Sequence, residues 1–276
     1  MFRVVILGHG EMLGNLIAGV QDAKCKIVGV MRYERLKKLD IYTKIKDFIL
    51  PSTEYSYIKS YNVPELKSKS ANSEQFKKEI LKLNPDLVIV GTWGEKLKKE
   101  SIQLPKIAMI NVHPSLLPKY RGPNPYLETI RHLEKITGIT FHLMSEEYDA
   151  GAILLQKQIE IKPDDTGKEL KERTVLMARK AVTELLNSLA DDFIIPVEQS
   201  EERATYYPQI TRDDIMLDFN KTSEEISAHI RGFYPWSKTY FSYKSKFFTP
   251  NPYKLEILDN NTEFTTAGTI VEKSFE

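Results

Sequence analysis

The N-terminal residues carry the pattern that most limits the fold. Residues 4–7 form a continuous apolar run, and glycines and a helical pattern follow over residues 8–20. Such a short apolar run is typical of a strand buried on both faces of a parallel sheet. Residues 27–31, 87–90 and 108–112 repeat the pattern. Strands that alternate with helices predict an α/β fold with a parallel-containing sheet and helices on both faces.

Further elements are predicted downstream. Residues 138–144 and 153–161 read as strands, and residues 166–189 predict a long helix that Thr166 caps. Residues 32–49 carry apolar side chains at roughly helical spacing among charges, which predicts an amphipathic helix.

The regular alternation of predicted strands and helices ends after residue 190. Pro196 and the polar residues around it suit a linker, so we expect an N-terminal domain over residues 1–190, a linker over 191–205 and a C-terminal domain over 206–276.

The C-terminal residues predict a different kind of domain. Residues 223–231 predict a helix, whereas residues 239–243 and 253–258 alternate aromatic with polar side chains, as short barrel strands do.

The composition excludes several classes of protein. The 276 residues include 39 Lys and Arg against 38 Asp and Glu, so a net charge of +1 gives no general attraction to nucleic acid or anionic lipid. The only cysteine is Cys25, which excludes an internal disulfide and a multi-cysteine metal site and suits a reducing compartment. We expect a soluble, cytoplasmic protein without a membrane span.

One segment carries side chains suited to chemistry. Asn111 and His113 are two residues apart at the end of a predicted strand, so an extended backbone places both side chains on one face. Pro114 favours that extended geometry. An imidazole can move a proton near neutral pH, an amide can donate to an oxyanion, and the downstream Asp149 can stabilise the imidazolium by its charge. Together they predict acyl transfer.

These motifs resemble a known family. Residues 111–122 read Asn-Val-His-Pro-Ser-Leu-Leu-Pro-Lys-Tyr-Arg-Gly, residues 149–151 read Asp-Ala-Gly, and residues 230–236 read Ile-Arg-Gly-Phe-Tyr-Pro-Trp. The pattern is similar to enzymes that transfer a formyl group from 10-formyltetrahydrofolate to an amine. The resemblance implies a Rossmann-like N-terminal domain and a small, shortened OB-like C-terminal domain.

The resemblance also implies roles for individual residues. His113 would be the general base, Asn111 would stabilise the oxyanion, and Asp149 would orient His113. The donor 10-formyltetrahydrofolate would be the cosubstrate, and no metal is expected. The residues implied to bind this cosubstrate are Glu95, Lys96, Leu97, Ser115, Leu116, Leu117, Pro118, Ser145, Glu146, Glu147 and Tyr148. The residues implied to contact the acceptor are His9, Glu11 and Met12.

The acceptor is the least constrained part of the prediction. The run Leu-Pro-Lys-Tyr-Arg-Gly resembles formyltransferases that act on nucleotide-linked amino sugars, so such a sugar is the first expectation; Pro123 stands where those enzymes have an arginine. The alternative is initiator methionyl-tRNA. Two features weigh against tRNA. Basic residues within 32–49 alternate with acidic ones, as on a solvated helix, and the resemblance implies a C-terminal domain with fewer strands than the tRNA enzymes have.

Other functions and assemblies remain open. A non-catalytic folate-binding protein is a third interpretation, although the intact catalytic motifs argue against it. The glycines at residues 8–14 suggest a nicotinamide-dependent oxidoreductase only weakly, because no acidic ribose partner follows at a convincing spacing. Assembly into a homodimer is also open.

Overall fold

The computed structural model describes residues 1–33 and 52–256. Its centre is a six-stranded sheet in the order β2-β1-β3-β4-β5-β6. The strands of this sheet are β1 (Arg3–Gly8), β2 (Lys26–Arg32), β3 (Leu87–Gly91), β4 (Ala108–His113), β5 (Ile136–Leu143) and β6 (Ile153–Glu160). Strands β1 to β4 pair in parallel, and β5 and β6 are antiparallel to their neighbours.

Helices cover both faces of the sheet, as predicted. The α-helices within the described residues are α1 (Gly10–Asp22), α2 (Thr53–Ser60), α3 (Glu74–Leu83), α4 (Lys99–Ile102), α5 (Pro125–Arg131), α6 (Gly167–Ala190) and α7 (Ser223–Phe233). Val4 and Ile6 pack with α1 and α6 on one face, whereas Val5 and Leu7 pack with α3 on the other. The alternation explains why residues 4–7 of β1 are all apolar, since both faces are buried.

Helices α1 and α6 approach each other closely at Gly19. A Cβ atom at Gly19 would lie 2.3 Å from Val182 Cγ1 and 2.4 Å from the carbonyl oxygen of Arg179. The Thr183 hydroxyl donates to the Gly19 carbonyl at 2.9 Å. Backbone atoms therefore come within a distance that only glycine permits.

Gly19→Ala is expected to lower the free energy of unfolding by about 1–3 kcal/mol, because the added methyl group would force the two helices apart. Urea unfolding followed by circular dichroism measures this difference. Lys180→Ala, an exposed site on α6, is the control and should change stability by less than about 0.5 kcal/mol. Equal stability of Gly19→Ala and the parent protein would contradict the packing argument.

The start of α6 agrees with the sequence prediction. Thr166 and Glu169 form a reciprocal capping box in which the Thr166 side chain accepts from backbone and Glu169 accepts from the Thr166 backbone N–H at 3.1 Å. These contacts satisfy N–H groups that the first turn of a helix cannot pair internally.

The C-terminal residues form a small unit against α5 and α6. Helix α7 packs its Ala228 against Ile130 and Leu170, and a two-stranded sheet follows, β7 (Phe241–Tyr243) and β8 (Lys246–Phe248). Arg231 of α7 donates to the Asp165 carbonyl at 2.7 Å, which ties α7 to the loop before α6.

Two sequence predictions need comment. The strand predicted at residues 253–258 is wrong where the structure describes it, because Pro252–Lys254 is a 3-10 turn. The Asn251 side chain accepts from the Tyr253 N–H at 3.0 Å, and this local contact selects the turn. The amphipathic helix predicted at residues 32–49 lies outside the described residues beyond position 33, while Arg32 itself ends β2.

Candidate active site

Strand β4 and the loop after β5 bring the three predicted catalytic residues together. Asn111 Nδ2 donates to Asp149 Oδ1 at 3.1 Å, and His113 Nδ1 lies 3.3 Å from the same oxygen. His113 is buried, and little of the Asp149 side chain is exposed. An amide, an imidazole and a carboxylate thus meet within hydrogen-bonding distance. The Asn-x-His spacing predicts the first two on one face, and the family resemblance implies the third.

The Asp149 carboxylate is held as an anion. Burial alone would raise its pKa, but the charge of a protonated His113 and the hydrogen bonds from His113 and from the Gly122 N–H lower the pKa well below its usual range. The Gly122 N–H donates to Asp149 Oδ2 at 3.0 Å. Asp149 itself has a left-handed backbone with φ of 53°, a conformation that aspartate tolerates better than most residues.

The two nitrogens of His113 face different acceptors. Nε2 lies 2.7 Å from the Tyr120 carbonyl oxygen. Because a carbonyl can only accept, Nε2 must carry a proton and donate. In the neutral ring the lone pair then lies on Nδ1, the nitrogen that faces Asp149. A proton taken up there would sit beside a carboxylate.

His142 joins this group, although the sequence suggests only a structural role within its strand. It is buried, and its Nε2 lies 3.1 Å from Asn111 Nδ2 and 3.7 Å from Asp149 Oδ1. Nδ1 of His142 donates to the Leu143 carbonyl at 2.9 Å, which leaves Nε2 as the acceptor from Asn111. The antiparallel register of β4 and β5 sets Asn111 opposite His142, a pairing that the sequence alone does not specify.

A cavity of about 440 Å³ opens beside these residues. Its walls include Asn111, His113 and Asp149, and its other lining residues include Val90, Thr92, Trp93, Gly94, Glu95, Lys96, Leu97, Gly122, Pro123, Pro125, Tyr126, His142, Met144, Ser145, Glu146, Glu147, Tyr148, Tyr206 and Gln209. The volume is within the range of small-molecule sites.

The wall of the cavity has two aromatic features. Trp93 Nε1 is buried, and no described residue accepts its hydrogen bond. Tyr126 stacks on Trp236 with ring centroids 5.8 Å apart. Trp236 therefore supports a residue of the cavity wall from the C-terminal unit.

The predicted donor-binding residues divide into two groups, and the first lines the cavity. Residues 145–148 and 95–97 all contribute to the lining. Lys96 Nζ lies 5.3 Å from the Tyr148 ring centroid, a distance that permits a cation–π interaction. The Glu95 carboxylate instead accepts hydrogen bonds from the Ala71 N–H at 2.9 Å and from Asn72 at 3.1 Å, so it holds the neighbouring loop.

The second group, Ser115, Leu116, Leu117 and Pro118, is absent from the described lining of the cavity. Ser115 is fully buried and donates to the Lys119 carbonyl at 2.7 Å. The Leu117 N–H donates to Thr140, and the Leu117 carbonyl accepts from Gln156, so the turn packs on β5 and β6. A direct contact of this turn with the cosubstrate stays a prediction.

The residues predicted to contact the acceptor also lie outside the described lining. Met12 is 2% exposed and packs in the core, which does not fit a substrate contact. Glu11 pairs with Lys171 at 3.1 Å. His9 occupies the position before the first turn of α1.

Residues 1–33 and 52–256 were compared with the requirements of a membrane-spanning helix and of a metal site. No helix within these ranges has the length and apolar composition needed to cross a membrane. No group of three or more His, Cys, Asp or Glu side chains within them could hold a metal ion.

The fold and the site together define a class. A cavity at the carboxyl ends of β3 and β4, with an amide, an imidazole and an ionised carboxylate in its wall, is equipped for acyl-group transfer. Residues 2–186 match the formyl transferase family, and residues 209–275 match the formyl transferase C-terminal domain. The chain belongs to the formyl transferase family and is a formyltransferase.

Curated relatives agree with this assignment, and a solved structure shares the fold. The chain is 34% identical to methionyl-tRNA formyltransferase of Enterococcus faecalis over 281 aligned residues, which cover 99% of this chain and 85% of the relative. It is 34% identical to methionyl-tRNA formyltransferase of Thermotoga maritima over 236 residues, which cover 84% of this chain and 72% of the relative. The fold is similar to the N-formyltransferase of Helicobacter canadensis, with a TM-score of 0.67, 19% identity and coverage of 89% of this chain and 85% of that one.

The expected cosubstrate is consistent with these findings. The Helicobacter canadensis enzyme was solved with folinic acid, a formyl-folate, and with dTDP-3-aminofucose. Membership of the formyl transferase family confirms that the reaction is the transfer of a formyl group.

Proposed function

We propose that this enzyme formylates the amino group of initiator methionyl-tRNA with 10-formyltetrahydrofolate as the donor. The observation that carries this proposal is the 34% identity to a methionyl-tRNA formyltransferase across 99% of the chain. The similarity to the sugar-modifying enzyme is confined to the fold at 19% identity. This reverses the order of acceptors that the sequence motifs favour.

The cavity fits the donor in size and chemistry. Val90, Leu97 and Met144 supply apolar wall, and Trp93 supplies a buried N–H that none of the described residues accepts. A flat heterocycle with polar edges needs such a combination of apolar contact and a few directed hydrogen bonds. We assign Lys96 and residues 145–148 to the wall that contacts it.

We assign the proton transfer to His113. Bound 10-formyltetrahydrofolate supplies the formyl group. His113 Nδ1 takes the proton of the attacking amine as nitrogen bonds to the formyl carbon, because Nε2 is committed to the Tyr120 carbonyl. Asp149 stabilises the imidazolium that results, and His113 then returns the proton to the departing folate nitrogen. General acid–base catalysis of this kind contributes about 100-fold or more.

We assign the oxyanion to Asn111. Both N–H bonds of its amide are engaged, with Asp149 and with His142. One of these contacts must give way to the developing negative charge on the formyl oxygen. A donor at this position typically contributes roughly 3 kcal/mol to lowering the barrier.

The second candidate acceptor is a nucleotide-linked amino sugar. The run Leu-Pro-Lys-Tyr-Arg-Gly at residues 117–122 and the similarity of fold to the Helicobacter canadensis enzyme favour it. The chemistry would be the same, since both acceptors present a primary amine.

A direct assay separates the two acceptors. The enzyme is incubated with 10-formyltetrahydrofolate and either initiator methionyl-tRNA or a panel of nucleotide-linked amino sugars, and release of tetrahydrofolate is measured. We expect turnover with the tRNA and none above background with the sugars. The opposite pattern would replace the tRNA proposal with the sugar, and no turnover with any acceptor would contradict formyl transfer.

Salt dependence provides an independent prediction. If the acceptor is tRNA, its KM should rise by at least about 10-fold between 50 and 200 mM salt, because phosphate contacts release counterions. The KM for the folate, measured in the same assays, is the internal control and should change by less than about 3-fold. A KM for methionyl-tRNA that is insensitive to salt would argue against recognition of the polyanion.

A further inference from the structure

We infer that Gln199, which lies in the segment between the two domains, is a positioning residue of this active site. Its amide joins the loop that carries Asp149 to the loop that contacts both His113 and Asp149. The inference rests on the proposed roles of these two residues. Gln199 is far from them in sequence and is absent from the described lining of the cavity, so it would act through the loops rather than on substrate.

The Gln199 amide uses its whole hydrogen-bonding capacity in this position. Nε2 donates to the carbonyl oxygens of Asp149 at 2.7 Å and Gly151 at 2.8 Å. Oε1 accepts from Arg121 Nε at 3.1 Å and from Arg121 Nη2 at 2.9 Å. Carbonyls only accept and a guanidinium only donates, so the chemistry fixes which end of the amide faces which loop.

The Arg121 loop determines the surroundings of both catalytic groups. The Tyr120 carbonyl accepts from His113 Nε2, and the Gly122 N–H donates to Asp149 Oδ2. Arg121 lies between them and is 8% exposed. A displacement of Arg121 would therefore move an acceptor of His113 and a donor to Asp149 together.

The Asp149 loop depends on similar support. Asp149 has a left-handed backbone, and Gly151 approaches the chain so closely that a Cβ atom there would lie 1.9 Å from the Leu143 carbonyl oxygen. Gln199 binds the carbonyl groups on both sides of this turn. It thereby holds a backbone conformation that is otherwise unfavourable for a residue with a side chain.

The backbone of the segment is fixed at both ends of this bridge. Val197 exchanges two hydrogen bonds with Ile153 of β6, at 2.7 and 2.9 Å. Thr205 donates its N–H to the Pro118 carbonyl at 3.2 Å and accepts from the Arg121 N–H at 2.9 Å. The backbone on both sides of Gln199 is therefore held by hydrogen bonds, which fixes the position from which its side-chain amide reaches the two loops.

Gln199→Glu tests the bridge with minimal change of shape. The carboxylate can still accept from Arg121 but cannot donate to the two carbonyls, which it would face with negative charge. We expect kcat to fall by about 10- to 100-fold through misplacement of the reacting groups. The KM values for folate and acceptor should stay within about 3-fold. Gln199→Met, of similar length and without charge, should show the same loss and replaces Gln199→Glu if that variant does not fold.

Glu201→Gln is the matched control. Glu201 accepts from the same guanidinium, at 2.8 and 3.0 Å, but its side chain is 72% exposed. None of its described contacts involves the carbonyl groups of Asp149 and Gly151. Its kcat should stay within about 2-fold of the parent. A loss of kcat in Glu201→Gln equal to that in the Gln199 variants, or unchanged kcat in those variants, would overturn the inference.

A spectroscopic readout separates this inference from the proposed function. The ring ¹H–¹⁵N signals of His113, assigned with the help of His113→Ala, should shift in both Gln199 variants and stay in place in Glu201→Gln. If the parent enzyme transfers no formyl group, or His113→Ala retains full turnover, the proposed function fails. The His113 signals still decide whether Gln199 positions that ring, and unchanged signals would refute it.

Discussion

Replacement of His113 by alanine is expected to lower kcat for formyl transfer by about 100- to 10,000-fold, the usual contribution of a positioned acid–base group. The amine would lose its proton acceptor, and the Tyr120 carbonyl and Asp149 would lose the ring between them. Steady-state kinetics with saturating 10-formyltetrahydrofolate measure the effect. KM for the folate should change little, because we place the ring at the reacting centre rather than against the heterocycle.

Two further variants test the assignment to His113. His113→Gln retains a polar side chain that cannot titrate, so its kcat should be close to that of His113→Ala. His229→Gln changes a histidine of α7 outside the described lining of this cavity, and its kcat should lie within about 2-fold of the parent. Near-native turnover in His113→Ala would refute the general base role.

Asp149→Asn is the second change with a large expected effect. The amide keeps the shape of the side chain but removes the negative charge to which we assign stabilisation of the His113 imidazolium, and we expect kcat to fall by about 1,000-fold or more. Stability should also fall, by roughly 1–3 kcal/mol, because a buried carboxylate accepts from Asn111 and Gly122. Chemical unfolding and single-turnover kinetics measure the two effects separately. A variant with unchanged kcat would contradict the role of the charge.

The pH dependence of stability follows from the lowered pKa of Asp149. Its folded-state pKa lies below the unfolded value of about 3.9. The stability that the ionised group contributes is therefore fully present above the unfolded pKa and is lost as the pH falls toward the folded one. The difference in unfolding free energy between parent and Asp149→Asn should narrow by about 1 kcal/mol between pH 6 and pH 3. A difference that widens would contradict the direction of the shift.

The N-terminal sheet was largely predictable because its signals are local. The buried run of β1 and the cap of α6 at Thr166 depend on neighbouring residues only. The meeting of Asn111 and His113 was also predictable, since strand periodicity places both on one face. Asp149 needed the resemblance to a family, because no local pattern says which downstream acid returns to the strand.

The remaining features depend on pairing between distant segments. His142 meets Asn111 through the antiparallel register of β4 and β5, and Gln199 reaches the Asp149 loop from a segment that reads as an ordinary linker. The turn at residues 115–118 resembles a binding loop in sequence, yet its polar groups are satisfied by Thr140 and Gln156. Residues 252–254 follow a turn rather than a strand because a neighbouring side chain competes for the backbone.

The positions of the two tryptophans make their fluorescence a measure of ligand binding. The chain contains two, and Trp93 lines the cavity while Trp236 stacks on Tyr126, which lines it too. Both indoles therefore lie where an aromatic ligand can quench their emission. Binding of a formyl-folate to the unlabelled protein can therefore be followed by tryptophan fluorescence, and Trp93→Phe separates the signals of the two tryptophans. Ligand affinity can thus be determined in variants too slow for any kinetic assay.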